Sequence, residues 1–462
     1  VCTAKFNRRI IPGDSDACQY VAEYQEFDLE LIQGPGLDEW LVRQSQTPFV
    51  LLEADLYYFA LLKYAADSYG FYIKLHHLLS DGFSFSILTK QIVEYYEQMA
   101  SGQGGAENPK PAFFDYFKRE AEYLSSLPCA KDREYWRQRL DNPPESLNLQ
   151  FSAAQPGLTS CRRVFKIPEG RQRAIEEFCR RQETTLFRFM MAVVYVYLSR
   201  AYNQPDLIIG TAYFNRASRR ELNTIGMYVS TIPVRITAAG TMSFAGLLRL
   251  IHQQLASDMA HQQYPYNLLA QDLRQAGRNP DGLLNINLVQ IPNGKDNKYG
   301  LQVHYQGADP AMLNMVINPN QLPKGAALEM ALDYRNDIFS AADVDRLYNC
   351  LLAIIEEVLA NPEGKLSQLA IMPATEKRQM LIRFNDTYLP VPKDKTYVDL
   401  FDEQVAKTPD NLAVIDYWKR LTYAELAQLT DSLAARLQEL GVGPDDIVGI
   451  MLPRTADFVI AT

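Results

Sequence analysis

Histidine is scarce in this chain, and paired-cysteine spacing is missing. Five histidines occur in 462 residues, and the six cysteines (Cys2, Cys18, Cys129, Cys161, Cys179, Cys350) are scattered without a Cys-x-x-Cys pair. Neither a zinc site nor a disulfide framework is indicated, so free thiols in a reducing cytoplasm and no bound metal are expected. Long apolar runs are also missing. The longest, near Met190 to Leu198, is about half of a membrane span and reads as a buried helix, so no membrane partner is expected. No secretory leader is visible at the start. A basic cluster able to track a phosphate backbone is absent, and the net charge of −9 argues against nucleic acid. The expected partner is another protein.

Two of the five histidines are adjacent, in the segment His76 His77 Leu78 Leu79 Ser80 Asp81 Gly82. Before it, Leu56 to Tyr64 and Phe71 to Leu75 are apolar, aromatic runs of strand length, and the polar Asp67 Ser68 Tyr69 Gly70 between them predicts a hairpin turn. After it, Phe85, Leu88, Ile92, Tyr95, Tyr96 and Met99 recur at helical spacing, so Ser84 to Met99 reads as a helix. The segment is thus a strand-to-helix connection, with Gly82 permitting a sharp change of direction. Successive residues of an extended chain point to opposite faces, so His76 and His77 cannot both face one substrate. One of them is expected to be structural. At neutral pH an unperturbed imidazole, with a pKa of roughly 6.5, is mostly neutral and can accept a proton from a nucleophile. That chemistry suits acyl transfer to an amine. Asp81, beside the helix start, is suited to capping backbone amides or to pairing with an arginine.

A second alternation of helix and strand follows. Thr184 to Arg200 predicts a buried helix, and Leu207 to Thr211 a short buried strand, which fits two related lobes. Breaks at Asn142 to Ser146 and Ala154 to Gly157 place the lobe boundary near residues 142 to 160. Asp343 to Ala360 reads as a helix with Val344, Leu347, Leu351, Ile354 and Val358 on one face, stopped by Asn361 Pro362 Glu363 Gly364. Residues 373 to 396 read as a connector. Beyond it, Glu425 to Leu437 predicts an amphipathic helix and Ile447 to Leu452 a strand.

The histidine segment resembles the His-His-x-x-x-Asp-Gly core of nonribosomal peptide synthetase condensation domains, which are similar in fold to chloramphenicol acetyltransferase. Other segments share the resemblance in the expected order: Phe113 Phe114 Asp115 Tyr116, Glu134 Tyr135 Trp136 Arg137, Asn215 Arg216, Gly226 to Thr231, His261 to Tyr266, and Arg278 Asn279 Pro280. Leu421 Thr422 Tyr423 Ala424 Glu425 Leu426 resembles the opening motif of an adenylation domain. The resemblance implies an α/β fold of two chloramphenicol acetyltransferase-like lobes in a V-shaped arrangement. The lobes would span residues 1–150, without their first strand and helix, and 151–372. A linker would follow at 373–396, then a truncated start of an adenylation domain at 397–462. The opening at Val1 Cys2 Thr3 is accordingly expected to be that of a fragment, with apolar surface exposed.

By the same resemblance His77 is the catalytic residue, and His76, Asp81, Gly82 and Arg216 support it, with Asp81 salt-bridged to Arg216. Gly226, Tyr228, Ser230 and Thr231 are expected tunnel or substrate contacts. Phe83 stands where the family has tryptophan. Ser230 stands where asparagine is common, which removes any hydrogen bond assigned to that amide. The implied reaction joins a donor acyl or peptidyl thioester to an acceptor aminoacyl thioester. Both would ride on phosphopantetheine arms of upstream and downstream carrier domains, with the chain's own adenylation domain as a further partner and no cofactor bound by the condensation domain itself. Two alternatives stay open: a starter-type domain that N-acylates the first amino acid with a fatty acyl group, and a non-catalytic module that only docks carriers. The chain ends before any glycine-rich phosphate loop, so no ATP or magnesium binding is expected.

Overall fold

The computed structural model describes residues 8–11, 18–21, 28–102, 113–147, 149, 159–216, 218–292, 302–322 and 325–462. It divides into two compact units, Val1–Lys377 and Arg378–Thr462. In the first unit β1 (Arg8–Ile11) and β2 (Cys18–Val21) form an antiparallel pair. β3 (Glu30–Gln33) leads into α1 (Leu37–Gln46), and β4 (Tyr57–Ala65) and β5 (Ser68–Leu75) form the hairpin that sequence predicts. Its turn falls at Ala66 and Asp67 rather than at residues 67 to 70. The ladder pairs Lys63 with Tyr69 and Leu62 with Gly70, so pairing extends to the shortest connection that closes a hairpin. β3 joins β4 in parallel to complete a three-stranded sheet.

Alternation along these strands separates two small cores. Ala60, Leu62 and Tyr72 cluster with Leu37, Trp40 and Leu41 of α1. Phe59, Ile73 and Leu75 pack with Leu88 of α2 (Gly82–Ala100) and with Leu56, Leu79 and Ile225. The histidine segment therefore hangs between a strand and a helix whose apolar residues share one core.

α3 (Phe114–Leu124) and α4 (Leu127–Arg139) follow. Then come β6 (Ser160–Lys166), α5 (Glu169–Arg181), α6 (Leu186–Ala201), β7 (Asp206–Tyr213), β8 (Ser230–Thr237), α7 (Phe244–Ala260) and α8 (Tyr266–Gln275). β9 (Ile286–Gln290), β10 (Leu313–Ile317), β11 (Glu329–Arg335) and α9 (Ala341–Ala360) complete this part. The six strands form one mixed sheet in the order β6-β11-β10-β9-β7-β8. α6 is the run flagged by its hydropathy; Thr185 caps it, and Phe189 to Val196 are all buried. α9 begins two residues before the predicted Asp343, because that aspartate is the third residue of a capping box closed by Ser340.

The large core does not follow the expected lobe boundary. Cys129, Trp136 and Leu140, which precede residue 142, belong to one cluster with residues of α5, α6, α7 and α9. Trp136 Nε1 donates to the His261 carbonyl at 2.8 Å, the His261 ring stacks on Tyr135 at 3.9 Å, and its Nδ1 lies 2.7 Å from Asp132. α4 is thus mounted on the later elements, although it precedes the break in sequence.

α10 (Ala374–Arg378) reaches the second unit, and a π-helical turn, Gln379–Arg383, follows it inside the expected connector. α11 (Tyr397–Lys407), β12 (Leu412–Ile415), β13 (Arg420–Thr422), α12 (Tyr423–Glu439) and α13 (Ala456–Ala461) make up the second unit. Thr422 and Glu425 form a capping box, which starts α12 two residues earlier than its apolar spacing suggests. The strand expected at Ile447 to Leu452 is not formed. β12 and β13 pair only with each other among the described residues, this segment joins neither, and Ile447 and Met451 are exposed. Among the described residues no helix is long and apolar enough to cross a membrane. Cys129, Cys161, Cys179 and Cys350 are free thiols. Cys2 and the side chain of Cys18 lie outside the described residues.

Candidate active site

The two histidines part company where β5 ends. His76 N still donates to Leu56 O at 2.8 Å, continuing the hairpin, whereas residues 77 to 79 form a turn closed by Leu79 N to His76 O at 2.9 Å. Strand alternation predicts two different settings for the rings, and the two differ: His76 is half-buried, His77 exposed in the turn. The His76 ring is half-buried, edge-on to Phe49 at 5.9 Å, and its Nδ1 accepts from Leu78 N at 3.1 Å. An accepting Nδ1 places the ring proton on Nε2. Burial, then the neighbouring His77, lowers the His76 pKa and holds the ring neutral. His76 is therefore committed to shaping the turn. The His77 side chain is exposed, and among the described residues no hydrogen bond holds its ring. Leu79, two residues on, is buried and anchors the turn.

Asp81 does both things its position suggests. As N-cap of α2 it accepts from Ser84 N at 2.7 Å. Its Oδ1 and Oδ2 also accept from Arg216 Nη2 at 2.9 and 3.1 Å, and Oδ2 accepts from Tyr228 N at 3.1 Å. The Arg216 and Asp81 side chains are 0% and 2% exposed, so this is an ion pair sealed from solvent. Arg216 Nη1 further donates to the Thr224 carbonyl at 2.7 Å and to that of Glu221, and the guanidinium lies over the rings of Tyr228 and Phe83 at 4.1 and 4.8 Å. Phe83, in place of tryptophan, keeps an aromatic face there. Burial pulls the Arg216 pKa below the usual arginine range, and Asp81 opposes that shift. Gly82, the first residue of α2, has open space where a Cβ would sit.

Gly226 and Tyr228 are buried. A Cβ on Gly226 would lie 2.0 Å from the Phe113 ring, so only glycine admits that ring so close to the backbone. Phe113 also meets Tyr228 edge-on at 4.9 Å and stacks on Tyr116 at 5.2 Å. Ion pairs from Arg220 to Asp115 and from Arg119 to Glu221 tie α3 to the segment carrying Arg216. Asp115 and Tyr116 thus hold packing and charge contacts. Ser230 and Thr231 open β8 opposite Tyr213 and Ala212 and remain half-buried.

Sequence reading misses Ser84, which it treats only as a helix start. Its hydroxyl is fully buried within hydrogen-bond reach of Asp81 Oδ1 (2.7 Å), Gly226 O (2.7 Å), Gly226 N (3.0 Å) and Arg216 Nη2 (2.8 Å). The available signal is a serine on the apolar stripe, one turn before Leu88. The carbonyls of Glu221 and Thr224 that accept from Arg216 carry no spacing signal at all.

Residues 8–381 match the model of the condensation domain, and residues 401–462 match that of the AMP-binding enzyme. A plipastatin synthase polypeptide of Bacillus subtilis (strain 168) is 32% identical over 453 residues, which cover 96% of this chain and 18% of that protein. The chain therefore spans less than a fifth of that curated relative. Two solved structures share the fold. One is a holo four-domain nonribosomal peptide synthetase bound to AMP and glycine, with a TM-score of 0.79 at 19% identity, covering 99% of this chain and 36% of that one. The other is the first condensation domain of the calcium-dependent antibiotic synthetase in complex with a substrate analogue, with a TM-score of 0.70 at 18% identity, covering 80% and 88%. The chain belongs to the condensation domain family, the amide-forming acyltransferases of nonribosomal peptide synthetases, and carries a segment of AMP-binding-enzyme type after it.

Proposed function

We propose that the chain joins two carrier-tethered thioesters, with His77 as the catalytic imidazole. The observation that carries this reading is the contrast within one loop. His76, Asp81 and Arg216 are each committed to protein partners, whereas the exposed His77 ring has no hydrogen bond among the described residues. A ring so placed is available to a substrate.

In this reading one carrier presents a donor acyl or peptidyl thioester on its phosphopantetheine arm, and a second presents an aminoacyl thioester. The acceptor amine attacks the donor carbonyl, forming the C–N bond, and the donor carrier leaves as its thiol. The thioester C–S bond breaks, and the proton that the amine loses ends on the departing sulfur, either carried there by His77 or transferred while His77 holds the amine in line. A thioester is already activated, so alignment and proton handling are the contributions required of the protein. Ser230 and Thr231, half-buried at the start of β8, are the proposed substrate contacts; Gly226 and Tyr228 fix that strand's approach. The partners are a donor carrier upstream, an acceptor carrier downstream and the chain's own adenylation domain. The free thiols fit a cytoplasmic setting.

The test is single-turnover mixing of the full-length protein with a donor-loaded and an aminoacyl-loaded carrier. Amide product on the acceptor carrier supports the reading; binding of both carriers without product favours a docking module.

A further inference from the structure

We infer that Ser84 is a positioning residue for His77: its single hydroxyl locks the end of the histidine loop to the backbone of Gly226. The inference rests on the amide-forming reading above. The loop is held at its front by the strand hydrogen bond from His76 N to Leu56 O, and at its back where Asp81 caps α2. Asp81 reaches the later part of the chain through Arg216 and through Tyr228 N. Ser84 adds a separate link that does not pass through the carboxylate. Gly226 N donates to its oxygen at 3.0 Å, and Gly226 O lies 2.7 Å away, so both polar groups of one peptide residue meet one hydroxyl across 142 positions of sequence.

The hydroxyl is fully used. Gly226 N and Arg216 Nη2 both aim hydrogens at the Ser84 oxygen, which fills its two acceptor sites. Its one proton is shared between two acceptors at equal distance, Asp81 Oδ1 and Gly226 O. Removing the oxygen leaves Gly226 N without its partner in a site that excludes water, and leaves Gly226 O with only the 3.3 Å contact from Arg216. The Asp81–Arg216 pair survives that change, but the Gly226 backbone is no longer keyed to the first turn of α2. The loop between His76 and Asp81 then keeps its strand bond and its cap but loses the separate link that fixes its far end against Gly226. Because effective catalysis needs the reacting groups held within a fraction of an ångström, the loss is expected in turnover rather than in carrier binding.

The experiment compares Ser84→Ala with Val344→Ala, a substitution in the buried face of α9, in the full-length protein at temperatures where each is fully folded. Ser84→Ala is expected to lower kcat at least tenfold with KM for both loaded carriers changed less than twofold, while Val344→Ala keeps kcat within twofold. A kcat for Ser84→Ala within twofold of wild type, or an equal fall in Val344→Ala, overturns the inference. Amide hydrogen exchange is read in the same samples. Exchange across residues 76–84 and 226–228 should accelerate at least tenfold in Ser84→Ala and not in Val344→Ala. If the wild-type protein makes no amide, the functional reading fails on its own. Exchange then decides the positioning role, and unaltered exchange in Ser84→Ala rejects it.

Discussion

The carboxylate of Asp81 and the guanidinium of Arg216, 135 residues apart in sequence, meet at 2.9 Å in a site from which both side chains are almost completely withdrawn from water. Such a pair is a weak source of net stability when intact, because desolvation offsets most of the attraction. Its significance lies in the penalty for removing one partner.

Arg216→Ala leaves the Asp81 carboxylate buried among the Ser84 and Tyr228 amides without its counter-charge, and orphans the Glu221 and Thr224 carbonyls. The expected loss is about 3 to 5 kcal/mol, read as a shift of the urea midpoint at unchanged slope. A variant that melts normally and is merely slow contradicts this assignment.

Gly226→Ala forces a methyl group into the Phe113 ring, 2.0 Å away. Overpacking of this kind costs about 1 to 3 kcal/mol. Phe113→Ala removes the obstacle, so the double variant should be less destabilised than the sum of the two single changes. Simple additivity in a double-mutant cycle would show that the contact is not the cause.

His76 predicts the acid side of the stability profile. Its folded-state pKa is depressed by burial and by His77, so the unfolded chain binds the proton more readily. The contribution is fully present above the unfolded value near 6.5 and is lost as pH falls below it through the lower folded value. Protonation at Nδ1 would also displace the Leu78 amide. Denaturation midpoints of wild type should fall more between pH 7.5 and 5.5 than those of His76→Gln; parallel profiles would count against the assignment.

Much of this site is legible in sequence because its parts are local. The hairpin, the Asp81 cap and the helix after it all follow from residues within a few positions of one another, and the loop forms where that pattern places it, although Gly82 itself sits in α2 with no positive φ. The arginine partner of Asp81 is not local, and only likeness to a family of sequences points to Arg216. Where neither locality nor likeness helps, the sequence is silent. Ser84 looks like any serine in a first helical turn until folding brings Gly226 beside it. The mounting of α4 on the later helices is hidden in the same way, since a break in periodicity at residues 142 to 160 marks a loop and does not say on which core the preceding helix packs. The strand expected at Ile447 to Leu452 fails for the reverse reason. Its composition suits a strand, but a strand needs a neighbour.

The exposed His77 ring carries the chemistry in this account, and its replacement tests that most directly. With little buried contact to lose, His77→Ala should melt within about 0.5 kcal/mol of wild type. Amide formation between two loaded carriers should nevertheless fall about 100-fold or more, the scale of a lost proton acceptor. Product formation at the wild-type rate by a correctly folded His77→Ala protein would contradict the account.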